Sequence, residues 1–381
     1  METVPEMYVS DPKYIKEGVK GFTFYLLKGS HVPEAISRRY RDFEALRKKM
    51  VERWPGIFIP KLANKKKVGN KGKKISVIRV EMLNRFLKKL SKIKYLLNSE
   101  ELSLFLKNQS NFAKAFEGLK EQSYEDLAKK YFSTFTDYDT NFDTIEGKNE
   151  QDKFEKKLIE SLPKIKNFLM LVSSAMERYR DEQENYGAVI NMLSLYEKES
   201  LTNFVDNDED KLVFFNIKNQ ELCKNISDSQ KLVINPYDRL YSAITEDYLN
   251  CESMIEALEG LKTLQETYNK LNKNLINVTI ELSDLQVGKS SVKTMFKNKD
   301  KEITRLSNEK DKLNKSINEL GEVIKVATFH MQKEIKEFKI SELNNYYAEL
   351  SRIENDTSKN SKIFDDLWDS IIKDKNISEY K

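Results

Sequence analysis

From Leu158 to Phe338 the apolar residues return by threes and fours, and this heptad-like spacing commits most of the chain to long helices packed side by side. A first helix carries Leu158, Leu162, Ile165, Leu169, Val172, Met176, Tyr179, Tyr186, Ile190 and Leu193, skips Gln183, and is ended by the acidic cluster Asp206 to Asp210. A second runs from Ile244 through Leu258 and Leu271 to Leu285, with a kink expected where Pro236 interrupts the pattern. A third runs from Ile303 through Leu320 and Met331 to Phe338 and continues less regularly to Phe364, Leu367 and Trp368. At ~1.5 Å per residue, a helix of roughly seventy residues extends on the order of 100 Å. Three such helices joined by short loops make an elongated antiparallel bundle too thin to bury all its aromatic residues. A homodimer or heterodimer through the bundle follows.

Composition supports this reading and excludes others. A third of the 381 residues are charged and only 12 are Gly and 7 Pro, as long helices require. The net charge of +4 gives no bulk argument for nucleic acid, so any basic function rests on local clusters. Cys223 and Cys251 form neither a disulfide framework nor a metal spacing, which points to a reducing compartment. Met1 to Ser10 lacks the basic start and apolar core of a signal peptide, and no apolar run reaches membrane-spanning length. A membrane, if met, is met from the cytosolic face. His31 and His330 show no carboxylate or cysteine constellation around them, and no nucleophile, acid–base pair or metal set has usable spacing. The chain is expected to be non-catalytic, with no cofactor and no metal.

Ahead of the helices the pattern changes. Gly21 to Leu27 alternates apolar and polar residues and, with Glu34 to Tyr40, reads as a small antiparallel sheet. Asp42 begins a helix with Phe43, Leu46 and Met50 on one face, which stops before Trp54-Pro55. Val80 to Leu90 and Ser99 to Leu106 read as two further short helices, closing an α+β module at about residue 110. Within it, Ser37-Arg38-Arg39-Tyr40-Arg41-Asp42-Phe43, the basic run Trp54 to Lys74 and Arg79 together read as a pocket for an anionic headgroup. An arginine fork grips a phosphate in bidentate fashion, an aromatic walls a ring, and loop lysines neutralise a second phosphate.

Arg-Arg-Tyr-Arg-Asp-Phe, then Trp54-Pro55-Gly56-Ile57-Phe58-Ile59-Pro60 with Lys65 and Lys66, then Arg79-x-x-x-Leu83-x-x-Phe86-Leu87, resembles in order and separation the PX domain of the sorting nexins. The resemblance implies that Arg39 holds the 3-phosphate of a phosphoinositide and that Tyr40 lies under the inositol ring. It implies Lys65, then Lys66, at the 1-phosphate, and Arg79, opening the next helix, at the 4- and 5-hydroxyls; Arg41 reads as structural. Leu62-Ala63-Asn64 stands where the family usually carries a second proline cluster.

Residues 111–150 form a linker in which Phe112, Phe116, Tyr124, Leu127, Tyr131, Phe132 and Phe135 fall near helical spacing among lysines. Two readings stand: an amphipathic helix for a membrane interface, or a face that packs on the following bundle. Asp137 to Gly147 reads as the loop after it. Residues 151–381, three long helices after a PX-like module, resemble the BAR domain of the same sorting nexins. The loop between the second and third helices places Lys289, Lys293, Lys297 and Lys299 around Met295-Phe296. Two readings stand: near the tips of the implied BAR dimer these cations would meet anionic lipid while the apolar pair dips into the headgroups, or the loop is a solvated turn. Gly288-Lys289-Ser290 is no phosphate loop, since Ser283 replaces the first Gly, and Asp206-x-Asp208-x-Asp210 is no calcium loop, since Lys211 replaces the required Gly. The cluster Lys61 to Lys74 lacks the interleaved aromatics of a nucleic-acid site.

The resemblance implies a peripheral protein on the cytosolic face of early endosomes. It would bind phosphatidylinositol 3-phosphate and anionic membrane, sense or induce curvature as a dimer, and retrieve cargo by tubulation with retromer as a partner. The rival is a dimeric coiled-coil scaffold whose PX-like module binds protein instead of lipid.

Overall fold

Alternation in Lys20–Gly29 turns Tyr25 and Leu27 inward, where both are fully buried, and this strand is the middle of a three-stranded sheet. The computed structural model describes residues 7–17, 20–63, 73–107, 112–200, 219–287 and 299–372. Strand β1 (Met7–Glu17) pairs antiparallel with β2 (Lys20–Gly29), which pairs antiparallel with β3 (Ile36–Arg39). β1 is absent from the sequence reading because Asp11-Pro12 resembles a turn. It is accommodated as a bulge between Ser10 and Lys13 with Asp11 at φ 48°, and Asn84 satisfies the neighbouring backbone of Val9.

Helix α1 (Tyr40–Arg53) starts two residues before the expected Asp42, whose side chain accepts from the backbone N–H of Arg39 at 2.7 Å and so caps the helix. Phe43, Leu46 and Met50 are fully buried on its inner face. Helix α2 (Lys73–Lys92) begins well ahead of the expected Val80; the nearest breaker upstream in the sequence is Gly72. Short α3 (Lys94–Leu97) and α4 (Glu100–Leu106, capped by Ser99) bring Leu96, Leu102 and Phe105 to the same core as Leu83, Leu87 and Leu90.

The linker with two open readings, a membrane-interface helix or a packed face, folds as two helices, α5 (Phe112–Glu117) and α6 (Tyr124–Thr134). Phe112, Phe116, Leu127, Tyr131 and Phe135 are buried. Phe112 meets Phe105, Tyr131 stacks on Trp54 at 6.0 Å, and Phe135 stacks on His330 at 4.0 Å. The aromatic face is thus spent on packing, and of the larger residues Phe132 stays exposed. Beneath α6 the carboxylate of Glu101, 1% exposed, accepts from Arg53 and from the Trp54 indole, with Lys130 at 3.9 Å. Lys130 donates to the Arg53 carbonyl and lies 3.6 Å over the Trp54 ring, and burial pushes its amine down to about 8.

Three long helices follow: α7 (Thr144–Glu199), α9 (Pro236–Gln286) and α10 (Lys299–Ile372), with a shorter α8 (Asn219–Leu232) before α9. Asp143 caps α7 by accepting from the N–H groups of Ile145 and Glu146, so the loop expected to reach Gly147 ends at Asp143. Pro236 does not kink a helix as expected; it begins one, where its fixed φ suits the first turn and its missing N–H goes unneeded. The acidic cluster Asp206 to Asp210 lies outside the described residues, and α7 ends at Glu199.

The chain divides into two compact units. The first comprises residues 1–161 and 249–338, so the N-terminal module and the middle of the helical part share one body. The two come close at Gly260 of α9, where a Cβ would stand 2.8 Å from the backbone nitrogen of Gly56, itself at φ 77°. Gly260→Val is expected to cost about 2 kcal/mol, read as a lower urea midpoint, because a backbone atom is what must move. The second unit comprises residues 162–248 and 339–381. Its core joins Ile190, Leu222, Ile226 and Leu367, with Tyr186 and Trp368 against them. Asn360 holds both backbone groups of Ile234 at the α8–α9 junction. Met170, Leu171, Met192 and Tyr196 on α7 and Ile340, Leu343 and Tyr347 on α10 remain exposed.

Candidate phosphoinositide site

β3 runs directly into α1, so the paired arginines fall at the junction and their side chains part company. Arg38, paired in register with Tyr25, is 4% exposed and donates to the carbonyls of Phe105, Lys107 and Ser37 while lying over the Phe105 and Phe112 rings. It fastens the sheet to α4 and α5. Arg39, opposite Phe24, is half-buried with its guanidinium 4.1 Å over the Phe22 ring and 4.5 Å from that of Phe24. Such a platform holds a planar fork extended without discharging it. Arg41 does not have the structural role expected of it. It is exposed, with Asp42 at 3.7 Å, and Arg38 is the structural arginine instead.

Tyr40 turns inward, 5% exposed, and its hydroxyl donates to the Ala63 carbonyl. Desolvation pushes that hydroxyl up to about 12, so the ring is a neutral wall. Arg79 of α2 stands over it, 5.9 Å from guanidinium carbon to ring centroid. Arg79 does not open its helix, as the sequence reading has it; it lies inside α2 and projects from there. Tyr25, missed by the sequence reading, is fully buried beside it: burial pushes its hydroxyl up and Arg79 draws it back. The signal was available in the strand alternation that puts Tyr25 inward.

Between α1 and residue 63 the chain has no strand partner, and four of its carbonyls are held by side chains instead. Pro55 accepts from Tyr131 at 2.7 Å, Phe58 from Tyr95 at 3.2 Å, Pro60 from Arg47 at 3.0 Å, and Ala63 from Tyr40. Side chains from other elements fix this stem where a second proline cluster is lacking. Lys65 and Lys66 lie outside the described residues, as do Lys289, Lys293, Met295, Phe296 and Lys297; Lys299 is the exposed first residue of α10.

The arrangement, a cation on an aromatic platform beside an aromatic wall capped by a second cation, suits a ring bearing phosphate. The family model for the PX domain matches residues 28–109, which span β3, α1, the stem, α2 and α4. This part of the chain is a PX domain. No curated protein matches the sequence. Among solved structures, the SNX-BAR protein Mvp1, determined by cryo-EM as a tetramer, superposes with a TM-score of 0.54 at 14% identity, over 95% of this chain and 99% of that one. A PX domain followed by three long helices is therefore the fold of the PX-BAR sorting nexins. His330 of α10, given no carboxylate by the sequence reading, has Glu334 one turn on with Nε2 and Oε1 3.1 Å apart; the i, i+4 spacing was the signal. Neither Cys223 nor Cys251 is in a disulfide, and Cys251 is buried. Among the described residues no helix is long and apolar enough to cross a membrane, and no cluster of metal-ligating side chains occurs.

Proposed function

We propose that this chain is a peripheral, non-catalytic membrane protein whose PX domain binds phosphatidylinositol 3-phosphate. Arg39 takes the 3-phosphate, Tyr40 lies under the inositol ring, Arg79 meets the 4- and 5-hydroxyls, and Lys65 and Lys66 meet the 1-phosphate. The observation that supports this most is Arg79 standing over Tyr40 at the residue after Arg39. The division of labour is residues 1–110 for the headgroup, 111–150 as linker, and 151–381 as the BAR-type dimerisation part. The exposed apolar residues of α7 and α10 supply the surface that dimerisation would cover. Two weak headgroup sites per dimer then add through effective concentration, and Lys289, Lys293, Met295, Phe296, Lys297 and Lys299 add general attraction to anionic lipid. Such a dimer would act in curvature-linked cargo sorting and tubulation on the cytosolic face of early endosomes, with retromer as a partner.

Sedimentation with vesicles of equal net charge, with and without phosphatidylinositol 3-phosphate, tests the reading. The protein is expected to pellet with the first and stay mostly in solution with the second. Equal pelleting with both, or with neither, removes headgroup recognition and leaves the dimeric scaffold in its place.

A further inference from the structure

We infer that α9 positions the stem behind the headgroup site: Glu252 and Glu256 are positioning residues for phosphoinositide binding, acting through Lys61 and Arg47. The inference rests on reading Arg39, Tyr40 and Arg79 as the headgroup site. Lys61 on the stem is 3.2 Å from Glu252. Arg47 of α1 donates through Nε to the Pro60 carbonyl and through its two terminal nitrogens to the Glu256 carboxylate, so one guanidinium ties the stem to α9. Two residues on, the Ala63 carbonyl receives the hydroxyl of Tyr40, the wall of the pocket. The last described residues before Lys65 and Lys66 are therefore held from the pocket side by Tyr40 and from the helix side by two acidic residues one turn apart.

Magnitude separates positioning from mere stabilisation. Lys61 and Glu252 are 33% and 26% exposed, and a pair that exposed contributes little to folding. Its effect on the direction of the stem has no such ceiling, because a small displacement at Lys61 is carried through the Ala63 carbonyl to Tyr40, the wall of the pocket. Charge gives a second separation. Glu252→Lys adds a cation near an anion site, which on electrostatics alone strengthens binding, so weakening marks lost geometry.

The test titrates the full-length protein with soluble short-chain phosphatidylinositol 3-phosphate by calorimetry, so that general membrane attraction plays no part. Glu252→Lys is expected to weaken binding about fivefold, and the exchanged pair Lys61→Glu with Glu252→Lys to recover most of that loss, with little change in melting temperature. Amide hydrogen exchange at Lys61, Leu62 and Ala63 is expected to quicken in Glu252→Lys and slow again in the exchanged pair. Unaltered affinity in Glu252→Lys, or no recovery in the exchanged pair, overturns the inference. If the wild-type protein ignores the lipid while the exchange rates respond, the headgroup reading fails and the tie between α9 and the stem stands. If the rates do not respond, the tie itself is absent.

Discussion

Arg39→Ala is expected to bind vesicles containing phosphatidylinositol 3-phosphate about 10- to 100-fold more weakly than the wild type, with its fold intact. A hydrogen bond to a charged group contributes about 1.5–3 kcal/mol, and a bidentate grip on phosphate lies toward the upper end. Truncation leaves the stacked rings of Phe22 and Phe24 uncovered at a half-buried site and does not open the core. Its neighbours supply the contrast. Arg38→Ala deprives three carbonyls of their donor and is expected to lower the melting temperature first, whereas Arg41→Ala, at an exposed residue, should leave both affinity and stability close to wild type. Vesicle titration with circular dichroism in parallel checks all three. Full affinity in Arg39→Ala removes this residue as the phosphate clamp.

Glu101→Gln is expected to destabilise the protein by about 3 kcal/mol, although it preserves the shape of the side chain. Arg53 and Lys130 are 11% and 18% exposed, and removing the shared carboxylate leaves them short of countercharge in a place water barely reaches. Glu100 still reaches Arg53, which keeps the loss from being larger. The deficit depends on pH. Burial raises the Glu101 pKa, but Lys130, a backbone contact and Arg53 together outweigh it and hold the carboxyl below its ordinary value of 4.5. A depressed folded value makes its contribution complete above about pH 4.5 and lost as pH falls through the folded pKa. Urea midpoints of the wild type and Glu101→Gln should thus differ at neutral pH and converge in acid. A constant gap would show that packing, and not charge, is what Glu101 supplies.

Of the proposed site, the proximity of two members was legible: the sequence reading groups Arg39, Tyr40 and Arg79, and the structure puts Arg79 over Tyr40. Long helices were legible because burial repeats along α7, α9 and α10 with their own period. What escaped is what depends on partners far along the chain. Asp11-Pro12 looks like a turn until β2 supplies a neighbour for the bulge. Pro236 looks like an interruption until Asn235 is seen accepting from the Tyr237 N–H and starting α9. The aromatic face of residues 112–135 left two readings open, a membrane-seeking helix or a packed face, and Trp54, Phe105 and His330 decide for packing.

The stem from Pro55 to Ala63 borrows its hydrogen-bond donors from Tyr40, Arg47, Tyr95 and Tyr131. The last of these lies beyond the residues matched as the PX domain, and so do both acidic residues of α9. A fragment cut to the family's limits would keep Arg39, Tyr40, Lys65, Lys66 and Arg79 and yet lose part of the frame that fastens the stem beside them. The length of chain that the family model recognises is thus shorter than the length that fastens the stem, and the shorter fragment is expected to bind the proposed headgroup more weakly than the intact protein.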